Sequence, residues 1–295
     1  MTVPDDLSIL RNLPFRIGTT SYIVPDDLLP NARFLADKVQ DMQLVLFDVA
    51  GGASNLPDAE TVAALADLGE RHAFTYTVHL ISDLRWADGN DSSLVQARQV
   101  IELTRTLQPF AYVLHLDGRG VQAAHTLPSR LQTWQDDGVR ALERVATWAG
   151  DPTLLAVENL EGYPPDFVQP VVLRSGASRC VDIGHLWLDG HDPLPPLQAA
   201  LPQTRVIHIH GLDGRDHASL AHMSTAQLDP VIQQLLDYPY CGLLTLEIFG
   251  EEDFFSSWQA LAESARRAQG APNSQQQRPE GTRKSPQGDW GSSRE

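Results

Sequence analysis

The chain has 295 residues, 42% hydrophobic and 20% charged, with 22 Lys and Arg against 38 Asp and Glu and a formal net charge of −16. That length and apolar content suit one large α/β unit, and the acidity argues against a protein that grips a phosphate backbone through a basic face. No apolar run approaches the ~20 residues of a bilayer span, "MTVPDDLSIL" lacks the apolar core of a signal peptide, and Cys180 and Cys241 form no C-x-x-C pair. A cytoplasmic protein without nucleic-acid or membrane partners is therefore expected, its oligomeric state left open.

After an N-terminal extension (1–14), residues 15–267 alternate between two patterns. β-rich runs occur at "FRIGTTSYI" (15–23), "LVLFDV" (44–49), "FTYTVHLI" (74–81) and "AYVLHLDG" (111–118). Four more follow at "LLAVENL" (154–160), "RCVDIGHLW" (179–187), "RVIHIHG" (205–211) and "GLLTLEIFG" (242–250). Helix-period segments lie between most of them. One runs over 58–72, with Asp58 as N-cap and Val62, Leu65 and Leu68 on one face. A second runs over 92–108, with Leu94, Ala97, Ile101, Thr104 and Leu107 aligned, and a third over 130–150. The sixth crossover, "HDPLPPLQAALPQ", is proline-heavy and predicts a brief helix. Residues 268–295 are rich in Gly, Pro, Ser and Gln without apolar period, and read as a disordered tail.

Eight strand–helix alternations predict a parallel (β/α)8 barrel. An open doubly wound sheet would want a glycine-rich phosphate turn after the first strand, and "GTTSYIVPDD" is not one. Barrel chemistry sits at the C-terminal ends of the strands. Strand two ends at Asp48, strand three at His79, strand four at His115 and strand five at Glu158. Strand six offers Asp182 and then His185, strand seven His208 and His210, and strand eight Glu247. One His or Glu in a strand is more often a hydrogen-bonded core residue. So many carboxylates and imidazoles at one rim would repel or stay unsatisfied unless cations sit among them. Mixed His and carboxylate donors suit divalent zinc foremost, with manganese or iron as further options.

Strand alternation puts His208 and His210 on one face, with His210 nearer the rim as the expected ligand. His208, one layer deeper, is expected to touch substrate or support a ligand. His217, beside Asp216 on the following loop, could close a further metal position. Arg85, Trp86, Tyr163 and Phe167 lie in loops able to face a large planar ligand.

The rim residues resemble those of the xylose isomerase-like TIM barrels that include endonuclease IV. The resemblance covers about residues 15–260. It implies one divalent metal on Glu158, Asp182, His210 and Glu247, a second drawing on His79 and His115, and a third involving His185 and His217. The third is the weakest match, because Asp216 and His217 are adjacent where that branch has Asp-x-His. Three stretches are similar to the cobamide-remodelling phosphodiesterases (the CbiR family) of the same superfamily: "FRIGTTSYIVPDDLLPNARFLADKVQDMQLVLFD", "YTVHLISDLR" and "HIHGLDGRDHASL". That resemblance implies hydrolysis of a small-molecule corrinoid, with Glu158, Glu247 and His185 as catalytic residues and Arg85, Trp86 and His208 as substrate contacts. A sugar or sugar-phosphate isomerase or epimerase using one metal, and a non-catalytic corrinoid- or metal-binding protein, are the rival readings.

Overall fold

The computed structural model describes residues 5–121 and 126–270. Eight parallel strands close on themselves in sequential order, so the predicted barrel is the fold. The strands are β1 (Arg16–Thr20), β2 (Asp41–Val45), β3 (Thr75–His79), β4 (Tyr112–Leu114), β5 (Leu155–Glu158), β6 (Ser178–Asp182), β7 (Thr204–Ile209) and β8 (Leu243–Leu246). Helices α1 (Leu28–Leu35), α2 (Ala59–His72), α3 (Ser92–Thr104), α4 (Pro128–Ala149), α5 (Gln169–Ser175), α6 (Ile183–Leu188), α7 (Leu194–Ala200), α8 (Thr225–Asp237) and α9 (Glu251–Gly270) complete the crossovers. None of the described helices is long and apolar enough to cross a membrane.

The helical periods place the helices where they fall. Asp58 caps α2, its side chain accepting from the Thr61 amide, and Val62, Leu65 and Leu68 are buried. α3 ends at Thr104 and tightens into a 3-10 turn over Arg105–Leu107. The sixth crossover helix, α7, has only seven residues.

Three boundaries differ from the sequence reading. β2 begins at Asp41, three residues earlier than its apolar run suggests, and ends at Val45, four residues earlier. The polar Asp41 and Gln43 are fully buried and hide the strand's start, while Phe47 is exposed beyond its end. Asp48 therefore leaves the rim and pairs with Ser54 in an isolated bridge. The N-terminal segment is part of the packing, since Leu10 and Leu13 are buried in the main core. At the other end α9 continues through Gly270, past the expected boundary at 267, and residues 271–295 lie outside the described residues.

Strand alternation divides the apolar residues into two cores. The large one fills the space between barrel and helices. The small one comprises Ala111, Val113, Ala156, Cys180, Val206 and Leu243, on strands β4 to β8 and the residue before β4. These short side chains leave room for bulky polar groups in the next layer toward the C-terminal rim.

Asp41 sits at the opposite end, with Oδ2 accepting from Thr75 Oγ1 at 2.7 Å and Oδ1 without a hydrogen-bond partner. Burial raises its carboxyl to about 6 against the pull of Thr75, Thr77 and Arg16. A raised carboxyl favours the folded state fully below the unfolded value of about 4, and that contribution is lost as pH rises through about 6. Asp41→Asn removes the charge and keeps an acceptor for Thr75. Its stability relative to wild type should therefore rise by roughly 2 kcal/mol between pH 4 and pH 8. Urea unfolding at both values measures this, and a difference that does not change with pH would mean that Asp41 titrates normally.

Candidate metal centre

Three strands end on a titratable side chain: β3 on His79, β5 on Glu158 and β6 on Asp182. His115, His210 and Glu247 are the first residues beyond β4, β7 and β8. His208 lies one residue before the end of β7. Closure of the barrel converges these seven, and Glu158 is at their centre.

Glu158 divides its oxygens between two groups of donors. Its Oε2 lies 3.3 Å from His79 Nε2 and 3.1 Å from His115 Nε2. Its Oε1 lies 2.9 Å from His208 Nδ1, which is also 2.9 Å from Glu247 Oε2. Asp182 Oδ2 completes the second group, 3.8 Å from His208 Nδ1. In each of the sets His79–His115–Glu158 and Glu158–Asp182–His208–Glu247, the donor atoms lie within 4.8 Å of one another.

The second set holds His208 where the sequence reading expected His210, whose Nε2 lies 3.4 Å from Asp182 Oδ1. The inward layer at β7 is one residue pair deeper, and Asp182 pairs with His208 in the β6–β7 register. His208 is fully buried with both ring nitrogens engaged by protein groups. His210 instead joins His185 and His217 in a third set.

Local structure explains that third set. Asp182 caps α6, its Oδ1 accepting from the His185 amide at 2.7 Å, which swings His185 over the rim. Gly184 gives the space, because a Cβ there would lie 2.1 Å from the His210 ring. After β7, Gly211 and Ala218 exchange backbone hydrogen bonds and fold the intervening loop back. His217, at φ +51°, then stacks on His210 with ring centroids 4.4 Å apart. Asp216 lies beside both, 3.4 Å from His210 Nδ1 and 3.1 Å from His217 Nδ1.

Five imidazoles are oriented through the nitrogen that faces away from the donor sets. Nδ1 of His79, His185 and His210 donates to the carbonyls of Leu80, Asn159 and Gly211. His115 Nδ1 bonds Asp83 Oδ1 at 3.0 Å. His208 Nε2 donates to Gln43 Oε1 at 2.8 Å, and Gln43 Nε2 donates to Glu247 Oε1 at 3.3 Å. Partners of this kind fix tautomer and ring orientation in metal sites. Asp182 Oδ2 and His210 Nε2 are buried without a hydrogen-bond partner, which a cation would supply. The donors thus fit divalent cations, and their mixed imidazole and carboxylate chemistry suits zinc, manganese or iron.

Burial by itself would raise Glu158, but His208, His115 and His79 around it hold its carboxyl well below the usual range. Burial would lower His115, yet Asp83 and Glu158 carry it up to about 10. His185 reaches about 9 against burial, chiefly through Asp182 and Glu158. Cys180 lies beneath this layer, within reach of Glu158 and His208, but burial pushes its thiol up to about 12, so it stays protonated.

Arg85 and Trp86 are not among the converging groups. They line a separate cavity between the loops after β3 and β4 and the start of α4. Tyr163 and Phe167 do approach the centre, lining a small cleft that also touches Glu158. The sequence reading missed Gln43 and Asp83. Gln43 carried one available signal, a lone amide between Met42 and Leu44. Asp83 carried none, since it lies in an irregular loop.

A family model described as xylose isomerase-like TIM barrel matches residues 41–271. Among solved structures, a D-tagatose 3-epimerase-like protein superposes with a TM-score of 0.67 at 18% identity, covering 86% of this chain and 98% of its own. Endonuclease IV from Thermus thermophilus gives 0.60 at 17%, covering 85% and 99%. The 3-keto-D-glucoside 4-epimerase YcjR from E. coli gives 0.59 at 14%, covering 86% and 99%. At these identities the likeness is one of fold. No curated protein matches the chain in sequence.

Two outcomes follow from this geometry. At pH 7 the metal-free protein holds His115 protonated, and a dication at the His79–His115–Glu158 set must expel that proton. Titrating zinc calorimetrically in buffers of different ionisation enthalpy should show proton release, with affinity rising as pH rises toward 9. Buffer-independent heats would contradict a protonated donor. Separately, Gln43→Leu frees the His208 tautomer and should weaken binding at the Glu158–Asp182–His208–Glu247 set by about 10–100-fold. Competition with a chromogenic chelator reads this loss, and unchanged affinity would remove Gln43 from the account.

Proposed function

The chain belongs to the xylose isomerase-like TIM-barrel family, and from that premise we propose that it is a metal-dependent phosphodiesterase acting on cobamides. It hydrolyses the phosphoribosyl linkage of the nucleotide loop, water adding across the P–O bond to leave α-ribazole, or its analogue, and a cobinamide phosphate. The observation that carries this reading is Glu158 shared between two donor sets. A sugar isomerase of this family needs one cation, and the His79–His115 pair has no work in such a reaction.

Divalent cations bound at the two sets would polarise the phosphoryl oxygens and acidify a coordinated water. The chain's residues do the rest. Glu158 lies between the sets and balances the charge of both. Glu247 closes the far side of the inner set, held by Gln43. Asp83 keeps His115 Nε2 turned inward. His185, whose Nε2 lies 3.6 Å from the half-exposed Glu161, stands at the solvent side of the sets and is suited to pass a proton to the departing ribose oxygen. The cobamide part of the reading rests on the three stretches similar to cobamide-remodelling phosphodiesterases, which contain His79, Gln43, His208, His210 and His217.

A second reading, sugar epimerisation, is favoured by a specific observation. Several structural neighbours are named as epimerases, among them L-ribulose 3-epimerase, and the Glu158–Asp182–His208–Glu247 set stands complete without the other histidines. The two readings separate on His79 and His115. Metal-reconstituted protein incubated with adenosylcobalamin should release α-ribazole, detected by mass, and His79→Ala or His115→Ala should lower the rate at least ~100-fold. Absence of α-ribazole together with epimerisation of a ketohexose would replace the phosphodiesterase reading with the second one.

A further inference from the structure

Beside the metal centre lies a cavity of about 430 Å³ that the proposed hydrolysis does not use. It opens where the strand direction of β3 and β4 continues into the loops, which are bridged at Leu84 and Leu116. Its walls include Trp86, Trp134 and three guanidiniums, those of Arg85, Arg119 and Arg130. In a chain of net charge −16 this concentration of cations is an exception.

Three arginines and two acids, Asp117 and Asp137, line the cavity. Arg119 grips Asp117 through two bonds, Nε to Oδ1 at 2.9 Å and Nη2 to Oδ2 at 2.7 Å. Arg85 Nε shares the same carboxylate at 3.1 Å. One acid thus anchors two guanidiniums, and Arg85 pairs with no other acid among the described residues. Asp137, the other acid of the lining, is engaged by Arg140 at 2.9 Å. Arg130 has no ion pair among the described residues. A local excess of positive charge with aromatic walls is the chemistry that recognises an oxyanion attached to a flat ring.

A run of tilted, packed rings leads from the cavity to the cleft that touches Glu158. Tyr163, in the cleft that touches Glu158, packs on Phe167 at 4.9 Å, and Phe167 packs on Trp134 at 4.3 Å. Gly118 permits this wall, since a Cβ there would fall 2.5 Å from Tyr163 and 2.7 Å from Phe167. Trp134 is itself fixed by donating Nε1–H to the Asp117 carbonyl at 2.8 Å.

We propose that the Arg85–Arg119–Arg130 cavity is a second binding site, for a separate molecule in which an anionic group is joined to an aromatic or other flat ring. The inference stands apart from the phosphodiesterase reading, because the one phosphate of a cobamide is the group that is cut. The binding itself is tested without turnover.

The test uses full-length protein stripped of metal with EDTA and phenyl phosphate as the probe, read by calorimetry and by quenching of tryptophan fluorescence. One equivalent should bind saturably. The Arg119→Gln/Arg130→Gln double variant, altered at exposed positions, should bind at least about tenfold more weakly, as expected for loss of charge-assisted contacts to an oxyanion. Glu158→Gln should bind the probe as wild type does, and inorganic phosphate should bind more weakly than phenyl phosphate. No saturable binding, or equal binding by the arginine variant, would overturn the site while leaving cobamide hydrolysis untouched. Loss of binding in Glu158→Gln with retention in the arginine variant would place the probe at the barrel mouth and also overturn it. Equal affinity for inorganic phosphate would overturn the ring-binding half.

Discussion

A carboxylate that is 1% exposed sits among three imidazoles at the centre of this barrel, and much of the molecule is arranged around it. Taking an ionised carboxylate out of water costs several kcal/mol or more unless opposite charge and hydrogen bonds replace the lost solvent. At Glu158 the replacement comes from three different strands or strand ends. Short side chains below, such as Ala156 and Cys180, let it and its neighbours point inward without crowding. The closed barrel is what brings His79 and His208, more than a hundred residues apart in sequence, to the two oxygens of one side chain.

The groups that orient the imidazoles matter as much as the imidazoles. Gln43 serves His208 and Glu247 together, so its amide ties β2 to β7 and to the end of β8. Asp83 and the carbonyls of Leu80, Asn159 and Gly211 come from the segments just beyond the strands. Rigid strands set the depth of each donor, and the following loops set its rotation. The same division runs into the neighbouring cavity, where the loop after β4 carries Asp117 and Arg119 two and four residues beyond His115.

The alternation of β-rich and helix-period segments carried the fold, because seven crossovers joining eight parallel strands leave few other architectures. The rim residues were legible for the same reason, as strand ends mark the chemical face of a barrel. Depth was not legible. His208 and His210 share a face, and only the register of β6 against β7 shows that the deeper one meets Glu158. β2 was misplaced because its inward residues are Asp41 and Gln43, which look like loop in a pattern that equates burial with apolarity. Arg85 and Trp86 were found as loop residues, but their distance from the donors depends on how the loop after β3 packs on α4. That packing involves residues far along the chain and leaves no local trace.

The central claim is that Glu158 serves two cations. Metal analysis of purified wild-type protein beside Glu158→Gln and Glu247→Gln tests it most directly. Each substitution keeps side-chain size and removes the charge that offsets a dication. The account predicts that Glu158→Gln lowers occupancy at two positions, whereas Glu247→Gln lowers it at one. Wild-type metal content in Glu158→Gln would contradict the account, because a carboxylate that can be neutralised without loss of metal does not join the two sets.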